Sequence, residues 1–139
     1  MALKIKPSYF HTLYRPSKCD LRFYLQQKGV ESAPPSEFEQ LIFRLGQRHE
    51  KNHPSTFPQV SDLTGKLAEM TLAEIQKGSP VIYQGELRHQ IQADGNLIQV
   101  VGIPDFMIKE EAGYFIRDCK LARHATEDKH PEIPRQLQV

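Results

Sequence analysis

The chain has 139 residues, of which 39% are hydrophobic and 25% are charged, and these values are typical of one globular domain spanning residues 1–139. A formal net charge of +1 neither favours nor excludes a nucleic-acid partner, because a basic patch can still form locally. The two cysteines, Cys19 and Cys119, are too few for a four-cysteine zinc or iron–sulfur site in this chain alone. No segment approaches the roughly 20 apolar residues of a membrane helix. We therefore expect a cytoplasmic protein without a membrane partner.

The first third of the sequence predicts two helices. Ser17 followed by Asp20 is typical of a helix start, and Gly29 is typical of a helix end. Ser36 and Glu39 form a capping-box pattern at the start of the second helix. One stripe of this helix is apolar and ends in a histidine, which we therefore expect to point into the protein. The stripe consists of Phe38, Leu41, Ile42, Leu45 and His49.

The second helix ends in His49-Glu50-Lys51-Asn52-His53, which has the H-E-x-x-H pattern of zinc peptidases. In that pattern two histidines one turn apart hold zinc, and the glutamate activates water. Pro54 ends the helix at the second histidine, and the sequence offers no obvious third ligand. A zinc metallopeptidase is therefore an alternative, and we favour the hypothesis that His49 binds a different metal.

The remainder of the sequence predicts a third helix and then a run of strands. The helix runs from about Leu63 to Lys77 and ends at Gly78. Asp94 to Asn96 is a strong hairpin turn between the first two strands. The predicted strands are residues 80–93, 97–108 and 114–122. Helices followed by adjacent antiparallel strands indicate an α+β or mixed α/β core, and residues 135–139 predict the start of a final helix.

The third strand and its neighbour carry the residues from which a chemical site can be built. Side chains alternate across a strand, so Asp118 and Lys120 face the same side, about 7 Å apart along the backbone. Hairpin pairing would bring Asp105 beside Asp118. Two converging carboxylates are typical ligands of Mg²⁺ or Mn²⁺, and a neighbouring lysine can orient an attacking water and stabilise negative charge. A plain salt bridge between Asp118 and Lys120 is the alternative.

This combination resembles the PD-(D/E)XK nuclease superfamily, in the RecB-like branch that includes CRISPR-associated RecB-like exonucleases. The matching segments, in the family's order from Ser17 to Val139, are SKCDLRFYL, RLGQRHE, GIPDFMI, YFIRDCKLAR and PRQLQV. The resemblance implies an α/β fold with a restriction-endonuclease-like core, a mixed central β-sheet with antiparallel hairpins flanked by the N-terminal helices. It also implies metal-dependent hydrolysis of DNA phosphodiester bonds, by an exonuclease or flap-type nuclease acting on single strands or ends.

The resemblance also implies roles for particular residues. The metal, Mg²⁺ or Mn²⁺, would be bound by His49, Asp105 and Asp118, with the Cys119 carbonyl as a further candidate ligand. Lys120 would be the catalytic lysine acting with the two aspartates, and Gln136 would support the site. The candidate contacts to nucleic acid are Arg48, Arg123 and His124.

The chain departs from the family pattern in two places. Cys19 stands where iron–sulfur members have their first cluster cysteine, but the later cysteines are missing from this sequence, so we expect no iron–sulfur cluster in this chain alone. The tyrosine that follows Gln136 in the family pattern would fall beyond Val139, so we expect a domain truncated at its C-terminal helix, with a helicase or a further domain as a candidate partner. A nucleic-acid-binding module that keeps the fold without turnover is the second hypothesis.

Overall fold

The computed structural model describes residues 3–9, 13, 19–120 and 128–137, and these residues form a mixed α/β fold. Ser17, Arg123 and His124 lie outside the described residues. The helices are α1 (Asp20–Gln27), α2 (Glu37–Asn52), α3 (Ala68–Lys77) and α4 (Glu132–Leu137), with a 3₁₀ turn at Pro54–Thr56. The strands are β1 (Leu3–Ile5), β2 (Ser61–Asp62), β3 (Val81–Tyr83), β4 (Leu87–Ala93), β5 (Asn96–Gly102), β6 (Phe106–Glu110) and β7 (Gly113–Arg117).

The strands form two mixed sheets, so the expectation of one central sheet is wrong. One sheet has the order β1-β5-β4 and the other the order β2-β3-β6-β7. The segments predicted as single strands over residues 80–93 and 97–108 each contribute one half to each sheet. The first segment breaks at Gln84, whose φ of 54° is incompatible with a strand. The second breaks around Pro104, which has no N–H group to donate to a ladder.

The local signals for helix ends and turns hold in the structure. Ser36 accepts a hydrogen bond from the backbone N–H of Glu39, and the Glu39 carboxylate accepts one from the Ser36 N–H, which completes the capping box. Gly78 ends α3 in the left-handed conformation. Asp94 and Gly95 both have positive φ, at 49° and 75°, as a tight hairpin turn requires.

The start of α3 differs from the prediction, because the helix begins at Ala68 and not at Leu63. The residues before Leu63 pair with β3 as the short parallel strand β2. The Asp62 carboxylate then accepts the backbone N–H of Thr64 at 2.9 Å, which turns the chain. A local turn therefore replaces the first helical turn that the apolar pattern suggested.

The hydrophobic core lies on both faces of the β2-β3-β6-β7 sheet. Leu63, Ile82 and Met107 pack together on one side, and Ile82 is fully buried. The other cluster consists of Val81, Tyr83 and Phe106. These side chains anchor β3 and β6, the two strands next to the candidate site.

The apolar stripe of α2 is exposed, so the expectation that it is buried is wrong. Phe38 is 70% exposed and Leu45 is 43% exposed. The half-buried residues of this helix end are Gly46, Glu50 and His53, at offsets 0, 4 and 7, so a different face of the helix turns toward the sheet.

Neither α2 nor another helix in the described ranges has the length and apolar content needed to cross a membrane.

Candidate functional site

Two aspartates come together at one end of the β6–β7 hairpin. The strands pair antiparallel with Phe106 opposite Arg117, so Asp105 and Asp118 lie opposite each other one step beyond that pair. Asp105 Oδ2 accepts the backbone N–H of Cys119 at 2.6 Å. The Asp118 carboxyl group lies close enough to raise the pKa of Asp105. The structure therefore brings Asp105 and Asp118 together, as the predicted hairpin pairing requires.

Lys120 lies against the same carboxylate pair. Its ammonium forms an ion pair with Asp118 Oδ2, and the side chains of the lysine and the aspartate are 33% and 10% exposed. The predicted third strand is shorter than expected, because β7 ends at Arg117 and the next three residues lie beyond it. The Asp105 carboxylate takes the Cys119 N–H that would otherwise continue the ladder. Asp118 and Lys120 are nevertheless neighbours, as the alternation predicts.

The environment of Asp105 favours its protonated form. Burial is the largest cause, and the hydrogen bond to Asp118 and the charges of Asp118 and Glu50 act in the same direction. The hydrogen bond from the Cys119 N–H opposes them. Together they raise the pKa of Asp105 to about 7. Near neutral pH Asp105 is therefore only partly ionised.

Three further residues belong to the site, and sequence reasoning had not assigned them to it. Glu50 Oε1 accepts hydrogen bonds from the Tyr83 hydroxyl at 3.0 Å and from Gln84 Nε2 at 2.6 Å. Gln84 Nε2 also lies 3.3 Å from Asp105 Oδ1, so one amide group connects the helix carboxylate with the hairpin carboxylate. The backbone N–H of Gln84 donates to the Asp105 carbonyl at 3.0 Å.

The backbone of Gln84 is held in an unfavourable conformation. Its φ of 54° lies in the left-handed region, which costs a non-glycine residue on the order of 1–3 kcal/mol. Its side chain joins Glu50 and Asp105, so the strained backbone serves to aim the amide at the two acids. A break in a strand pattern followed by Gly85 was the sequence signal that could have identified this position.

His49 is exposed, so its expected inward orientation is wrong. Successive helix residues are rotated by about 100°, and in α2 Glu50 is the residue that faces the sheet while His49 is exposed. The His53 ring packs edge-on against Phe106, with 5.2 Å between the ring centroids, and lies 6.4 Å from the His49 ring. The assignment of His49 as a metal ligand stays a prediction, and Glu50 is a competing candidate.

The residues that the structure describes do not form a complete metal centre. Within the described residues, no three His, Cys, Asp or Glu side chains are grouped so that they could hold a metal ion. This applies to the expected set of His49, Asp105 and Asp118 and to the two histidines of the H-E-x-x-H pattern. The acidic groups that the structure brings together here are Asp105 and Asp118, with Glu50 linked to Asp105 through Gln84.

The other predicted site residues lie in different surroundings. Gln136 and Asp118 line the same cavity, so α4 contributes to this region. Burial is the main cause that raises the pKa of the Cys119 thiol to about 11, so this thiol stays protonated, while its backbone N–H holds Asp105. Arg48 is exposed on α2. Cys19 is a half-buried free thiol next to the start of α1.

Comparison of the chain with protein-family models, with curated proteins and with solved structures finds no match. Function is therefore inferred from the site geometry and from general chemistry. That geometry combines two half-buried acids that lie opposite each other, a lysine in contact with one of them, and a helix glutamate joined to the other through an amide.

Proposed function

We propose that this protein is a metal-dependent deoxyribonuclease of the PD-(D/E)XK type, which hydrolyses phosphodiester bonds in DNA single strands or ends. The observation that carries the proposal is the placement of Lys120 against Asp118, which lies opposite a second aspartate, Asp105, at the end of the hairpin. A salt bridge on an ordinary surface would not need the second buried acid. The two aspartates place carboxyl groups beside the partly exposed Lys120 ammonium. Metal-assisted phosphodiester hydrolysis requires such acidic ligands for the metal ion.

The donor atoms of the site suit a hard divalent cation. Carboxylate oxygens are the preferred protein ligands of Mg²⁺ and Mn²⁺. Asp105 and Asp118 would hold the ion in place of the proton that Asp105 binds, and Glu50 or His49 would complete the protein ligands, with the Cys119 carbonyl as a further candidate. When bound, the cation would polarise the scissile phosphate and lower the pKa of a water molecule.

The chain's own residues would orient the reactants. The Lys120 ammonium, 33% exposed beside Asp118, would hold a water in line with the phosphorus and stabilise the negative charge that develops on the phosphate oxygens. Gln84 would fix the positions of Glu50 and Asp105 through the two contacts of its amide. Gln136 would support the site from α4, because it lines the cavity that Asp118 also lines.

A nucleic-acid-binding module without turnover is the second candidate. The ion pair between Lys120 and Asp118 fits this candidate as well, because a lysine that only neutralises its aspartate needs no catalytic role. The two candidates share the DNA partner and differ in metal-dependent cleavage. In either case, a helicase or a further domain would be a fitting partner for a domain that acts on DNA ends.

Cleavage of end-labelled single-stranded DNA with Mg²⁺ or Mn²⁺, and with EDTA in parallel, tests the proposal. We expect cleavage only with the metal, and a loss on the order of 100-fold or more in Asp118→Asn. Asp94→Asn is the matched control, because it makes the same change in an exposed hairpin turn where asparagine is well tolerated. Cleavage that Asp118→Asn leaves intact would contradict the nuclease proposal.

A further inference from the structure

An open cavity adjoins the aspartate pair and lies where the two sheets meet. Its volume is about 410 Å³, within the range of sites that hold small molecules. One sheet contributes residues of β4 and β5, and β7 and the segment after it contribute Ile116 and Asp118. Much of the wall is apolar and includes Val100, Ile103, Pro104 and Ile116. Because Asp118 belongs to the wall, a ligand in this cavity would lie next to the acid pair.

Basic side chains also line this cavity. They are Lys6, which directly follows β1, and Arg88 and His89 on β4. The Arg88 Nε forms an ion pair with Glu86, which engages one of the five N–H donors of the guanidinium group. Lys6, Arg88 and His89 are all exposed, so each can reach an anionic ligand from the rim. An apolar wall below cationic groups suits a ligand with an apolar body and a phosphate.

We infer that this cavity binds one unpaired nucleotide of a DNA strand, with its base and sugar on the apolar wall and its phosphate in contact with Arg88 and Lys6. The inference rests on the proposed function, because it places the adjoining phosphodiester at Asp118. The cavity volume is comparable to that of one nucleotide. A base can lie with its face on the apolar wall only when it is unpaired and separated from its stacked neighbours. The substrate class is therefore a strand with an unpaired end, and a blunt duplex would have to fray before it could enter.

Binding is measured in EDTA, so that the proposed cleavage cannot occur. The probes are a fluorescent single-stranded tetradeoxynucleotide and a fluorescent blunt DNA hairpin. Their binding is measured by fluorescence anisotropy at several salt concentrations. We expect the single strand to bind at least tenfold more tightly than the hairpin. Arg88→Gln should weaken single-strand binding about tenfold and reduce the salt slope by about 0.7, the value for one phosphate contact on a single strand.

A second variant tests the apolar wall. Ile103 is 52% exposed, so Ile103→Glu should fold normally and weaken single-strand binding about tenfold by placing a carboxylate against the bound strand. The matched controls are Arg44→Gln on α2 and Ile91→Glu on β4, which make the same changes at exposed positions away from the cavity wall. Both controls should bind within twofold of the wild type, and the melting temperatures of all four variants verify folding.

The outcomes separate the cavity from the nuclease chemistry. Equal losses in test and control variants, or a hairpin that binds as tightly as the single strand, would overturn the inference. Metal-dependent cleavage with normal single-strand binding by Arg88→Gln and Ile103→Glu would overturn the cavity and keep the nuclease proposal. Selective loss of binding in these two variants, with cleavage unaffected by Asp118→Asn, would keep the nucleotide site and reject the nuclease.

Discussion

Asp105 and Asp118 lie opposite each other one step beyond the last pair of the β6–β7 hairpin, and Asp105 accepts the backbone N–H of Cys119, the residue after Asp118. Two ionised carboxylates so close together repel each other, and burial adds to the cost of charging Asp105. A proton relieves this repulsion in the metal-free protein. A divalent cation would relieve it in the proposed enzyme, so proton and metal are expected to compete for the same pair.

This relationship predicts how stability depends on pH. The pKa of Asp105 is about 7 in the folded protein and 3.8 in the reference state, so protonation favours folding. The stabilisation is complete below about pH 4 and is lost as the pH rises through 7. Urea unfolding without metal should therefore give a smaller free energy of unfolding at pH 8 than at pH 5. Asp105→Asn should remove most of this difference, and an unchanged pH dependence in the variant would argue against the raised pKa of Asp105.

The geometry of α2 predicts which of its residues matters for metal affinity. Glu50 contacts the amide that reaches Asp105, whereas His49 is exposed. Glu50→Gln should weaken Mn²⁺ binding tenfold or more, and His49→Ala should change it less than twofold, as measured by calorimetry. A larger loss in His49→Ala would restore the histidine as a ligand. Equal losses on replacing His49 and His53, with zinc bound between them, would support the peptidase alternative.

Much of the local structure could be predicted because its causes are local. The capping box at Ser36, the helix end at Gly78 and the hairpin turn at Asp94 each depend on a few neighbouring residues and on backbone preferences. The proximity of Asp105 to Asp118 could also be predicted, because it requires only that two adjacent segments form a hairpin. These features need no knowledge of distant contacts.

The division into two sheets could not be predicted, because strand alternation does not identify the neighbouring strand. Residues 80–93 read as one strand, although Gln84 adopts a backbone conformation that sends each half to a different sheet. The predicted orientation of α2 was wrong for a related reason. Helical periodicity defines an apolar face, but Glu50 turns inward because Tyr83 and Gln84 offer it hydrogen-bond donors. These hydrogen bonds depend on tertiary structure.

A second pH effect should arise from Glu74, far along the chain from the aspartates. Hydrogen bonds from the hydroxyls of Ser79 and Ser61 lower the pKa of Glu74 to about 2, from 4.5 in the reference state. The ionised form is therefore favoured by folding, and the stabilisation present above pH 4.5 is lost as the pH falls through 2. Glu74→Gln should lower the melting temperature at pH 7 and flatten its decline in acid. Glu69→Gln, an exposed change in the same helix, should do neither.

Packing around Gly85 predicts a contrast between two glycine substitutions. A Cβ atom at Gly85 would lie 2.8 Å from Thr71 Cγ2, and Thr71 is fully buried, so Gly85→Ala should cost about 1–3 kcal/mol. Gly46 lies inside α2, and a Cβ there meets no described atom within 4 Å, so Gly46→Ala should stabilise by about 0.5–1 kcal/mol. Chemical denaturation measures both changes. Equal stability of the two variants would show that the contact between Gly85 and Thr71 is not tight.

Lys120 separates a catalytic site from one that only binds DNA. If its ammonium stabilises charge that develops only in the transition state, Lys120→Ala should lower turnover without lowering DNA affinity. The expected loss is on the order of 100-fold, or about 3 kcal/mol. Lys129→Ala is the control, because Glu127-Asp128-Lys129 repeats the same sequence spacing in a polar segment and Lys129 is exposed.

The most direct measurement is the single-turnover cleavage rate of end-labelled single-stranded DNA with Mn²⁺, compared between the wild type and Lys120→Ala at saturating protein. Anisotropy on the same DNA in EDTA verifies that both proteins bind it. The nuclease proposal predicts a rate on the order of 100-fold lower in Lys120→Ala, with binding and the Lys129→Ala rate unchanged. A Lys120→Ala protein that cleaves as fast as the wild type would contradict the proposed mechanism.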